Sequence, residues 1–145
     1  MKLISLHAEL FYEAHGDRPY PITFLLALTG QKPFRLCISG SGDTLVIEHA
    51  PLPPPHEWEE GRIMHEDVIM LMSPRLHVFT VDRIEAITRE NDQIGLSLVA
   101  VNEPAFHIWV DGDEFFWGND QALQWHWSNS DVAPRLGGRI SVSGS

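Results

Sequence analysis

The sequence predicts a mainly-β chain: a single-domain antiparallel β-sandwich or open barrel over residues 1–145, with at most one or two short helices. Three observations predict this. Apolar residues recur with a period of two more often than with a period of 3.6. Clusters of Gly, Asn, Asp, Ser and Pro punctuate the chain roughly every eight to twelve residues, the spacing of short strands joined by turns. The resulting segments, about nine to eleven in all, match the strand complement of a sandwich or barrel. A length of 145 residues fits one domain on the usual scale of about 100–200 residues, and no internal repeat stands out.

Taken in order, residues 4–12 place Ile4, Leu6, Ala8, Leu10 and Tyr12 on one side and Ser5, His7 and Glu9 on the other, a half-buried strand. A helix capped by Ser5 and stopped at Gly16 is the rival. Residues 22–28 are almost wholly apolar between Pro21 and Gly30, which predicts a strand buried on both faces. Residues 34–39 and 44–49 flank Gly40-Ser41-Gly42-Asp43, whose residues tolerate positive φ, so they form a hairpin. Pro51, Pro53, Pro54 and Pro55 then interrupt pairing, because each lacks an N–H, and residues 50–60 become an extended crossing.

Beyond the crossing, residues 68–72 and 76–81 read as apolar strands around Ser73-Pro74-Arg75. Asp82 and Glu85 resemble a helix-capping pair, but Ile84, Ala86 and Thr88 alternate, and a strand is preferred. Residues 94–101, 106–110 and 114–117 complete the central strands, with Val110-Asp111-Gly112-Asp113 the sharpest hairpin signal. Residues 120–127 form a strand or one helical turn, and the chain from Gly137 onward forms a tail or edge strand.

Composition limits function. Twenty acidic against ten basic residues give a net charge of -10, which disfavours nucleic acid, since phosphate binding needs clustered cations. No apolar run approaches the roughly 18 residues of a membrane span. His7, Glu9 and Glu13 interrupt the N-terminal apolar stretch before a signal-peptide core forms, so cytoplasmic residence is the expectation. Cys37, alone within an apolar run, reads as a buried inert thiol.

No catalytic, metal or cofactor signature survives inspection. Ser39-Gly40-Ser41-Gly42 lacks the nucleophile elbow and the Lys of a phosphate loop, and Asp111-Gly112-Asp113-Glu114 lacks the oxygen spacing of a calcium loop. Eight histidines raise the alternative of a small metal-dependent or ligand-binding β-barrel enzyme using His49, His65 or His107, yet none shows the spacing that puts two ligands on one metal.

The most unusual feature is an absence. Between Arg89 and Arg135 there is no Lys or Arg, while eight carboxylates and half of the aromatic residues fall there. Rings and carboxylates displayed together make a docking patch for a basic protein, as in an inhibitor or immunity-type antidote. The residues expected to form it are Asp111, Asp113, Glu114, Trp117, Asp120 and Trp125. Trp109 and Trp117, of equal parity, are expected on one sheet face, and Trp125 and Trp127 share a face if their segment is a strand. The bland reading buries these rings as core and leaves the acids to solvate loops. Two further expectations stay open: exposed indoles stacking on sugar rings, and an edge strand or indole covered by a second copy of the chain.

Overall fold

The computed structural model describes residues 1–16 and 18–143. Their strands are β1 (Leu3–Glu13), β2 (Tyr20–Leu28), β3 (Phe34–Ile38), β4 (Leu45–Glu48), β5 (His56–Trp58), β6 (Gly61–Asp67), β7 (Val81–Arg89), β8 (Asp92–Ala100), β9 (Phe106–Asp111), β10 (Glu114–Gly118), β11 (Arg135–Gly138) and β12 (Val142–Ser143). A single helical turn, α1 (Ile69–Met72), and a 3-10 turn, Pro74–Val78, precede β7, and α2 (Asp120–His126) follows β10. One sheet runs β12-β4-β3-β2-β1-β6-β5 and the other β10-β9-β8-β7-β11. They pack face to face as a β-sandwich, antiparallel except where β12 joins β4 in parallel.

Alternation builds the core between the sheets. Leu6, Ala8 and Leu10 of β1, Phe24 and Leu26 of β2, and Leu36 and Ile47 of β3 and β4 point inward from the first sheet. Leu96, Leu98, Ile108, Val110 and Phe115 meet them from the second. Each fully buried Leu, Ile or Phe contributes about 1.5–3 kcal/mol relative to exposure, so this layer dominates the stability of the fold.

Several expectations change at particular residues. In β1 a register shift between Leu3 and Ser5 turns Leu3 inward beside Leu6 and leaves Ile4 61% exposed, off the face expected for it. Residues 22–28 are not buried on both faces: Phe24, Leu26 and Leu28 are buried, whereas Leu25 and Ala27 are only partly so. Residues 68–72 and 76–81 contain helical turns rather than two strands. The Ile69 amide donates to Asp67 Oδ1 at 3.0 Å, and Pro74, which has no N–H to lose, opens the 3-10 turn. Short apolar runs do not by themselves separate strand from helix.

The proline crossing has no regular structure over residues 50–55, and the next three residues pair with β6 as the edge strand β5. Prolines lack the N–H but keep the carbonyl, so the crossing is held by side-chain donors. Arg35 Nη1 donates to the Pro51 carbonyl at 2.9 Å, and His65 Nε2 donates to that of Pro53 at 2.6 Å. No helix among the described residues is long and apolar enough to cross a membrane.

Candidate functional site

The site begins with the β9–β10 hairpin. Gly112 and Asp113 both have positive φ, at 58° and 67°, the backbone of a two-residue turn that follows the twist of its strands. The turn pairs Asp111 with Glu114 and Trp109 with Phe116. Across such a turn, partners differ in parity, so Trp109 and Trp117 lie on opposite faces, contrary to the expectation that they share one. Trp117 pairs with Ile108, faces the space between the sheets and meets Phe24 edge-on with centroids 6.3 Å apart. Trp109 faces outward from the second sheet and is nevertheless buried.

What buries Trp109 is α2. Asn119 caps the helix, its side-chain oxygen accepting from the Ala122 amide at 3.0 Å, and Leu123 drops onto Ile87, Ile94 and Trp109. Trp109 and Ile87 in turn close over Gly95: a Cβ there would fall 2.5 Å from the Ile108 carbonyl oxygen and 2.9 Å from Trp109 Cβ. Since residues 120–126 are helical, Trp125 and Trp127 do not share a face. Trp127 lies under the Arg89 guanidinium, 4.6 Å from its ring centroid, and Trp125 stands 80% exposed.

Two imidazole–carboxylate pairs tie α2 to the sheet. His126 Nε2 lies 2.9 Å from Asp111 Oδ2, and His107 Nε2 lies 2.6 Å from Asp120 Oδ1. His107 also bonds across the strands, its Nδ1 being 2.7 Å from the Ser97 hydroxyl. An ionised carboxylate only accepts, so His107 carries its proton on Nε2, and in the neutral ring Nδ1 accepts from Ser97. The order hydroxyl–imidazole–carboxylate is that of a nucleophilic relay, but its orientation is reversed. Ser97 and His107 are each 1% exposed, and it is the Asp120 carboxylate, 60% exposed, that reaches solvent. No substrate carbonyl reaches the Ser97 oxygen, so the chain acts as a structural tie.

Of the six residues expected to form the docking patch, Asp111, Asp120 and Trp125 are gathered at α2. Asp113 and Glu114 are exposed at the adjoining hairpin tip, where the Asp113 amide donates to the Gly42 carbonyl at 2.8 Å. Trp117 is turned away from them. Sequence reasoning missed His107 and His126 as the groups that fix two of the carboxylates. The available signal was the outward parity of His107 and Trp109 in β9, which demanded a cover.

The histidines of the metal reading are apart. His49 bonds the Pro33 carbonyl, His65 that of Pro53, and His107 belongs to the tie just described. Among the described residues no three His, Cys, Asp or Glu side chains are placed to hold a metal ion.

A cleft of about 700 Å³ opens beside the hairpin tip, lined by the start of β2, the end of β3 and residues 112–115. Cys37 lies in its wall and is only partly buried, not the fully buried thiol expected, because it alternates with the inward-facing Leu36; the burial it has pushes the thiol above its ordinary range, against the opposing pull of Arg35. A second hollow of about 500 Å³ lies between α2 and the segment leading into β11, with Asp120, Leu123 and Trp127 in its walls. No protein-family model, curated protein or solved structure matches the chain.

Proposed function

We propose that the protein is a noncatalytic acidic binding protein that docks a basic protein partner, as an inhibitor or immunity-type antidote engages a cationic toxin. The observation that carries this reading is Trp125: a large indole exposed on a helix whose first turn bears Asp120 and whose last turn is tied to Asp111. An exposed indole on a helix that also bears and holds anions supplies an apolar anchor, and those anions supply charge complementarity for Arg or Lys. The His107 and His126 bonds engage one oxygen each of Asp120 and Asp111, which leaves the other oxygen of each carboxylate to accept from a partner. Asp113 and Glu114 extend the negative field at the hairpin tip, and a net charge of -10 speeds encounter with a cation.

The test is affinity capture from the native host on wild type and on Trp125→Ala and Glu114→Lys side by side. Both side chains are outside the core, so the fold survives. A basic polypeptide held by wild type and released by both variants supports the reading; retention by all three proteins, or capture of acidic polypeptides only, sinks it.

A carbohydrate reading has one specific observation in its favour. On the other sheet, Tyr20, Phe11 and Trp58 form a surface row with successive centroids 5.3 and 5.5 Å apart, and Tyr20 and Trp58 are exposed. Such faces stack on pyranose rings. Binding to immobilised polysaccharides that Trp58→Ala abolishes and Trp125→Ala leaves intact favours this reading over the first.

A further inference from the structure

The two sheets end in four edge strands, β12 and β5 in the first and β10 and β11 in the second. Three of them are blunted. β12 is two residues long, β5 is three, and β11 is broken by a register shift between Arg135 and Gly138. Short or bulged edges resist pairing with another chain. β10 has no such protection: its five residues pair with β9 without a shift, from Glu114 opposite Asp111 to Gly118 opposite His107, and include no Pro, Lys or Arg. In a hairpin closed by a two-residue turn, Glu114, Phe116 and Gly118 exchange backbone bonds with β9, so Phe115 and Trp117 turn their N–H and C=O groups outward. Among the described residues no backbone hydrogen bond reaches these groups from the open side, and no strand lies beyond β10.

The side chains of this edge alternate. Phe115 and Trp117 point between the sheets, where both meet Phe24, while Glu114 and Phe116 share the α2 side with Asp111 and Trp109. The cleft described above borders residues 112–115 but no residue of β9, which puts it on the open side of the hairpin, and the partly buried Ile22 and Ile38 lie in its walls.

We infer that an extended segment of the basic partner pairs with β10 as an added strand of the second sheet, its apolar side chains turned in beside Phe115 and Trp117 and its Lys or Arg side chains turned to the α2 side beside Glu114 and Phe116. The inference rests on the docking reading and specifies the mode of contact. A strand fits and a helix does not, because the free N–H and C=O groups repeat at every second residue and a helix has already used its own. The same period of two sorts the added side chains, since a residue directly opposite another shares its face. The inward positions meet the apolar space between the sheets. The outward positions are basic because Glu114 is the sole charged residue of β10 and Asp111 stands on the same face, where a like charge would repel. A long Lys or Arg stem also covers the partly buried Phe116 ring while its head stays in water.

The experiment reads amide hydrogen exchange residue by residue in the wild-type protein, with the blocked peptide acetyl-Lys-Val-Lys-Val-Lys-Val-amide as the probe. In the free protein the Phe115 and Trp117 amides exchange at least tenfold faster than the Phe116 amide, which is bonded to β9. Saturating peptide slows both by at least tenfold and leaves Phe116 nearly unchanged. Of two versions of the peptide, one N-methylated on its valines and one on its lysines, one loses the protection and the other keeps it, because only one set of N–H groups faces β10. A peptide with Glu in place of Lys protects only at concentrations at least tenfold higher. Phe115 and Trp117 amides as slow as Phe116 in the free protein, no slowing by the peptide, the same behaviour of the two methylated versions, or equal protection by the acidic peptide overturns the assignment. Absence of protection together with a Trp125-dependent capture of a basic polypeptide removes the added strand and leaves the docking face. Protection without any Trp125-dependent capture keeps the added strand and removes the α2 face.

Discussion

The buried imidazole of His107 in β9 holds the exposed carboxylate of Asp120 in the first turn of α2 at 2.6 Å. Through this contact a strand in the interior fixes the position of an anion at the surface. Its partner on the other side, Ser97, is the residue directly opposite His107 in β8. Replacing His107 with Ala therefore leaves the Ser97 hydroxyl without a partner, opens a cavity and frees the start of α2. The expected loss is about 2–4 kcal/mol in a denaturant titration. Asp120→Ala removes only the solvent-facing end and costs about 1 kcal/mol, because water screens an exposed carboxylate. Equal losses for the two variants contradict the tie.

The tryptophans of the second half are expected to divide sharply by environment. Trp109→Ala empties the layer beneath α2 and costs about 3–5 kcal/mol, whereas Trp125→Ala stays within about 0.5 kcal/mol of wild type. The same contrast is visible by acrylamide quenching, in which Trp125 supplies the most accessible component of the fluorescence. A large loss of stability in Trp125→Ala would place that ring in a packed environment and remove it from the docking face.

The hairpin tip makes a backbone prediction. Asp113 adopts φ of 67°, a region that Asn and Gly enter readily and β-branched residues do not. Asp113→Asn is expected to leave the thermal midpoint almost unchanged, while Asp113→Val costs about 1–2 kcal/mol. Similar melting of the two variants argues against the two-residue turn and with it the placement of Glu114.

Cys37 makes a pH prediction. Desolvation raises its pKa in the folded chain, with Arg35 acting in the lowering direction. A raised folded pKa means that the neutral thiol is favoured. The associated stability is fully present below the unfolded thiol pKa and is lost as pH rises through the folded one. The pH–rate profile of alkylation in the native protein accordingly inflects above that of the urea-unfolded chain. An inflection at or below the unfolded value contradicts a partly desolvated thiol.

The legible parts of the fold were those with local chemistry. The 40–43 and 111–113 turns announced themselves through residues that accept positive φ, and the prolines of residues 51–55 marked a stretch without ladder donors. The parts that were not legible depended on parity or on tertiary cover. One register shift after Leu3 moved Ile4 to the opposite face, and the odd offset of a two-residue turn separated Trp109 from Trp117. Trp125 in α2 and Trp127 at its C-cap mimic the alternation of a strand, but two positions along a helical turn rotate a side chain by about 200°, so one indole packs and the other does not. The candidate site was legible as composition, a cation-free stretch rich in acids and rings. Which of those rings faced solvent was decided by where α2 lay on the sheet, and no short-range pattern encodes that.

The most direct measurement is the association rate constant of the basic polypeptide captured on wild type, followed against ionic strength for wild type and for Asp113→Asn/Glu114→Gln. The account predicts a rate that falls as salt rises, a slower rate with a shallower salt dependence in the double variant, and faster dissociation in Trp125→Ala. Rates and salt slopes that coincide in wild type and the double variant, together with dissociation indifferent to Trp125, would contradict it.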